Sequence, residues 1–85
     1  MHYRLTYKAS VKKDLRKLQP VMRRAVVKRI LALTDEPHPN GSIKLSGSEN
    51  TYRLRQGDYR IVYNVYDDVV VVEVVKVGHR SDIYR

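Results

Sequence analysis

Three strand-like segments, Thr51–Arg55, Asp58–Tyr66 and Val69–Val77, follow one another with almost nothing between them. Gln56-Gly57 and Asp67-Asp68 are the only separators, and connections this short join antiparallel neighbours, because a parallel return needs a dozen residues or more. The C-terminal half is therefore expected to fold as an antiparallel meander. Side-chain alternation along a strand extends the expectation. Tyr52 and Leu54 alternate with Arg53 and Arg55, while Tyr59, Ile61, Tyr63 and Val65 alternate with Arg60, Val62, Asn64 and Tyr66. If the larger apolar sets face a core, Arg53, Arg55 and Arg60 share the opposite, uncovered face. Val69–Val77 is apolar on both sides apart from Glu73 and Lys76, as expected of a central strand.

The N-terminal part changes period. His2–Tyr7 reads as a short strand with Tyr3, Leu5 and Tyr7 on one side. Ser10 is placed to cap a helix whose stripe is Val11, Leu15 and Leu18, with Lys12, Lys13, Arg16 and Lys17 outside it. Gln19-Pro20 interrupts the pattern, and Pro20 suits the first turn of a second helix. That helix turns Met22, Val26, Ile30 and Leu33 inward and Arg23, Arg24 and Lys28 outward. Asp35–Asn50 reads as a sixteen-residue loop, anchored by Ile43 and Leu45 with Lys44 outward. The expected fold is α+β in the order β-α-α-β-β-β, with the helix hairpin on one face of a twisted sheet. A polar tail leaves the middle of that sheet after Val77.

Length and charge narrow the function. Eighty-five residues allow one domain, residues 1–85, with a small core and no room for a deep cofactor cavity. The absence of cysteine excludes disulfides, thiolate metal sites and a cysteine nucleophile. Apolar runs such as Val69–Val72 are too short to span a bilayer, and the N-terminus is too polar for a secretory signal, so a cytoplasmic location is expected. The net charge is +8, and residues 1–34 hold ten Lys/Arg and a single acid, leaving residues 35–85 near neutral. Such asymmetry points to an anionic partner, nucleic acid or an acidic protein. His2, His38 and His79 lack ligand spacing, and no glycine-rich phosphate loop or nucleophile elbow is present. No metal or cofactor is expected.

What remains is a sheet face bearing arginines, with His79, Arg80 and Tyr84 supplied by the tail. Guanidinium groups suit phosphate, since their planar donor fork bridges two oxygens and never loses its charge near neutrality. Tyrosine stacks on bases. Such a site can bind RNA without a metal. It can also cut it, because the 2′-hydroxyl beside each phosphate is a built-in nucleophile that needs alignment and charge stabilisation. The residues alone stop at a basic α+β domain that binds RNA or an acidic protein.

Tyr52-Arg53-Leu54-Arg55-Gln56-Gly57-Asp58-Tyr59-Arg60-Ile61-Val62-Tyr63, followed by Val77-Gly78-His79-Arg80, resembles the RelE toxins of bacterial and archaeal toxin–antitoxin systems. Ile43-Lys44-Leu45-Ser46-Gly47 is similar to the stretch that precedes their sheet. The resemblance implies a ribosome-dependent endonuclease that cuts messenger RNA in the A site, leaving a 2′,3′-cyclic phosphate and a 5′-hydroxyl, without cofactor. It places Arg60 at the phosphate, Arg80 at the leaving group and Tyr84 against the nucleotide. Arg53 and Arg55 stand where relatives carry a basic pair, and Lys44 completes the expected RNA contacts. His79 enters as a proton donor, being a better acid than a guanidinium. Implied partners are an acidic antitoxin, the ribosome and mRNA. A ParE-like gyrase inhibitor of the same fold and a non-enzymatic binding module stay open as alternatives.

Overall fold

The structure, a computed structural model, describes residues 2–83. Its elements are β1 (Arg4–Tyr7), α1 (Ala9–Arg16), α2 (Pro20–Ala32), β2 (Ile43–Lys44), β3 (Thr51–Gln56), β4 (Tyr59–Tyr66), β5 (Val71–His79) and α3 (Arg80–Ile83). The five strands form one sheet in the order β1-β5-β4-β3-β2. The expected meander is present: β3 pairs with β4 and β4 with β5, all antiparallel. β1 runs parallel to β5 on its other side, so β5 is flanked on both edges, as its two-sided apolar sequence requires.

The core lies between the helix hairpin and one sheet face. Val11, Leu18, Val26, Ile30 and Leu33 meet Leu54, Ile61, Tyr63, Val65, Val72, Val74 and Val77, all at least nine-tenths buried. Each such aliphatic side chain contributes about 1.5–3 kcal/mol by leaving water. α1 and α2 are held together at their junction by Arg23, against the expectation that it points outward. Its Nε donates to the Leu15 carbonyl at 3.0 Å and its Nη2 to the Leu18 carbonyl at 3.0 Å. Both are carbonyls of the turn that closes α1, and that of Leu15 also accepts the Leu18 N–H at 3.2 Å. Ser10 does not cap α1; the helix begins at Ala9, with Lys8 as an N-cap that supplies no side-chain bond.

Three further differences matter for the site. First, the segment between α2 and β3 is not all loop, because Ile43–Lys44 adds β2 to the sheet edge. Ile43 is half-exposed rather than a core anchor. Second, the turn between β4 and β5 takes four residues, Asp67–Val70, and Val70 adopts a left-handed φ of 57°. Third, β5 carries a bulge. Val62 pairs with Lys76 but Tyr63 pairs with Val74, so Val75 is an extra residue. The Val77 N–H beyond it donates to Asp14 Oδ2 of α1 at 3.1 Å. The tail does not simply leave the sheet; it coils at once into α3.

Candidate RNA-binding site

Direct cross-strand partners project on the same side of a sheet. Ile43 registers with Arg53, Arg55 with Arg60, and Arg60 with Gly78, which has no side chain to offer. Ile43, Arg53, Arg55 and Arg60 therefore gather on the face away from the helices, and with Gly41 they line a hollow of about 380 Å³. Arg60 forms its floor. It is only 8% exposed, and its Nε and Nη1 have no hydrogen-bond partner among the described residues. Leaving a buried donor unmade costs about 1–3 kcal/mol, more when it is charged. Setting Arg55 directly opposite Arg60 adds like-charge repulsion.

This arrangement is poor for stability and good for an anion. A guanidinium keeps its charge near neutrality and favours phosphate oxygens, and here it is already desolvated and fixed by the strand beside Arg53 and Arg55. Farther along the same face the pattern is different. Thr51 Oγ1 donates to Asn64 Oδ1 at 2.6 Å, and Asn64 Nδ2 donates to Glu73 Oε1 at 3.1 Å, so polar groups there satisfy one another. Binding capacity is concentrated at the arginine end. Among the described residues, no three of His, Cys, Asp and Glu gather into a metal-binding group.

The remaining site residues divide. Arg80 begins α3, is exposed, and its N–H donates to the Asp58 carbonyl at 2.9 Å, next to the start of β4. His79 registers with Tyr59 and so projects on the helix side, opposite the arginines. Its ring meets the Tyr59 ring edge-on at 5.5 Å, in a cleft shared with Asp14, Lys17, Lys76 and Asp82. Lys44 registers with Tyr52 of the inward set; it is exposed and does not line the arginine hollow. Tyr84 lies outside the described residues. Gly41 and Ile43 are lining residues that strand patterns could not reveal, because β2 is two residues long and its face is set only by pairing with β3.

The sequence matches the family model described as ParE toxin of type II toxin–antitoxin system over residues 5–84. It is 34% identical to Toxin RelG of Mycobacterium tuberculosis, covering 100% of this chain and 99% of RelG. It is 35% identical to the mRNA interferase toxin RelE of Escherichia coli K12, covering 99% of this chain and 92% of that toxin. The fold matches that of the archaeal RelE–RelB complex from Pyrococcus horikoshii OT3, with a TM-score of 0.84 at 32% identity, covering 96% of this chain and 99% of the other. A match over nearly the whole chain in family model, sequence and fold makes this protein a RelE-family member of the ParE/RelE toxins of type II toxin–antitoxin systems.

Proposed function

We propose that the chain is a ribosome-dependent mRNA endonuclease that cleaves in the A site and thereby stops translation. The observation that carries this reading is Arg60, buried and with two donors unpartnered among the described residues, in a hollow it shares with Arg53 and Arg55. In the reaction, the 2′-oxygen bonds to phosphorus while its proton leaves to a base. The bond from phosphorus to the 5′-oxygen then breaks, and that oxygen takes up a proton. The products are a 2′,3′-cyclic phosphate and a 5′-hydroxyl. Arg60 stabilises the extra negative charge on the phosphoryl oxygens, with Arg53 and Arg55 holding the strand. Arg80, at the edge of the same sheet end, hydrogen-bonds the departing 5′-oxygen, and Tyr84 orients the nucleotide that attacks. RNA supplies its own nucleophile, so the scheme needs no metal or cofactor.

An acidic antitoxin is the proposed neutralising partner. The relative of known structure from P. horikoshii is a RelE–RelB complex. In this chain an apolar groove of about 210 Å³ runs between β1, α1 and α2, with Tyr7 and Leu31 more than half exposed and Lys12 at its rim. An amphipathic acidic segment fits that combination. With antitoxin and ribosomes implied, the cytoplasm is the proposed compartment.

Programmed ribosomes incubated with the protein, followed by mapping of 5′-hydroxyl ends, test the activity. Cleavage at A-site codons, abolished by a deoxyribose at the cut, is the expected result. Intact message with folded protein would sink the proposal. The family model's ParE description keeps gyrase inhibition as a second reading, and it gains if supercoiling is blocked while message stays intact.

A further inference from the structure

His79 lies on the wrong face of the sheet for a proton donor at the arginine hollow, and its contacts specify a different task. Nδ1 accepts a hydrogen bond from the Ser81 backbone N–H at 3.2 Å and lies 2.8 Å from Ser81 Oγ. Ser81 is the second residue of α3. A side-chain acceptor on the residue before a helix, bonded to the second helical N–H, is the geometry of an N-cap, here made by an imidazole. The other end of the same turn is fixed as well. The Arg80 N–H donates to the Asp58 carbonyl, so both of the first two amides of α3 are satisfied beside the start of β4. The Tyr59 ring, one residue from Arg60, sets the plane of the imidazole.

We propose that His79 is a positioning residue, whose imidazole caps α3 through Nδ1 and thereby holds Arg80 beside the start of β4. Only the tautomer with hydrogen on Nε2 can do this, because Nδ1 must accept. With hydrogen on Nδ1 the ring would instead donate to Ser81 Oγ and release the Ser81 N–H. The charged and titratable groups around it are Asp14 and Lys17 from α1, Tyr59 from β4, Lys76 from β5 and Asp82 from α3. The cap thus fixes the turn that carries Arg80, while Arg60 is held independently by β4.

The inference rests on the endonuclease reading, and the test separates the two. Asparagine offers an acceptor at the Nδ1 position and caps helices as well as any residue, without titrating. Glutamine reaches the Nε2 position instead. Single-turnover cleavage on programmed ribosomes is followed at pH 7.5 for wild type, His79→Asn, His79→Gln and His79→Ala. The positioning role predicts that His79→Ala and His79→Gln lose on the order of tenfold to a hundredfold, as misplaced groups do. It predicts that His79→Asn stays within about threefold of wild type. Equal inactivity of Asn and Ala variants overturns it in favour of proton transfer; full activity of the Ala variant overturns it outright. Amide exchange at Ser81 and imidazole nitrogen shifts need no RNA. Slower Ser81 exchange in wild type than in His79→Ala, with an unprotonated Nδ1, supports the cap even if no cleavage is found. Equal exchange rates overturn it.

Discussion

Arg23 and Arg60 are both sheltered arginines, and they show how differently the two sides of this sheet use the same side chain. Arg23, on the helix side, sets its guanidinium against carbonyls of the turn that closes α1, those of Leu15, Arg16 and Leu18. Arg60, on the open side, is more deeply buried, yet its Nε and Nη1 meet no acceptor among the described residues. A buried charge with its hydrogen bonds made is part of the scaffold. Arg29 Nε on α2 is also without a partner among the described residues, but only Arg60 lines a hollow with two further arginines, where an anion can offset a cost of the order of the whole stability of a small domain divided by a few. The hairpin side holds most of the excess charge, and the open side holds the proposed chemistry.

The sharpest way to break this contrast is Arg60→Met. If the open face is built for an anion at the expense of stability, the variant loses at least about a hundredfold in single-turnover cleavage, the scale for removing one transition-state donor. It also gains about 1–3 kcal/mol in denaturant unfolding, because an unsatisfied buried cation is replaced by an apolar chain of similar reach. A variant that loses activity and stability together would make Arg60 a structural residue. A change confined to the hairpin should do the reverse. Converting Lys13, Arg16, Arg24 and Lys28, all exposed, to glutamine should weaken ribosome association on the order of tenfold and reduce its salt dependence. Cleavage at saturating ribosomes should be unchanged. A fall in that saturated rate would show that the docking face takes part in chemistry.

Much of this division was legible in the sequence, and the parts that were not share a cause. The meander and the grouping of Arg53, Arg55 and Arg60 follow from two-residue periodicity and short turns, which are local. The face of His79 does not. Counting by twos from Val72 and Val74 puts residue 79 with the arginines, but the extra residue Val75 inverts the count, so Val77 and His79 turn toward the helices. Nothing in a run of valines marks where a bulge falls. Ile43 was expected in the core because it is apolar; pairing with Arg53 across two strands, a contact invisible to local pattern, puts it on the open face. Arg23 looks like any other basic helix position until the end of α1 is folded back beside it.

That last point supplies a smaller test on the hairpin side. Arg23→Ala strips donors from the carbonyls closing α1 and should cost about 1–2 kcal/mol, while Arg24→Ala, one residue on and exposed, should stay within about 0.5 kcal/mol. Equal costs would mean that Arg23 acts through charge alone and that its carbonyl contacts contribute nothing. Neither substitution should alter the saturated cleavage rate, since neither side chain reaches the arginine hollow.

The smallest expected effect concerns the residue that ties the two sides together. Tyr63 is fully buried in the core, and its hydroxyl donates to the Pro37 carbonyl at 2.9 Å. Pro37 opens the segment that carries Gly41 and Ile43 over to the open face, so one core phenol anchors a wall of the arginine hollow. Burial pushes the Tyr63 phenol above its ordinary pKa of 10.0. A raised folded-state pKa means that the native state keeps a proton the unfolded chain gives up. The stability this contributes is complete below the unfolded value and is lost as pH rises from there through the folded one. Tyr63→Phe should therefore cost about 1 kcal/mol at pH 7 by orphaning the Pro37 carbonyl, and should flatten the decline in unfolding free energy above pH 10. Cleavage by the variant should fall by only a few-fold, through a looser Ile43 wall, with the arginines themselves undisturbed. If the alkaline decline is as steep in Tyr63→Phe as in wild type, another buried proton accounts for it, and the link from the covered face to the open one runs through the sheet rather than through this phenol.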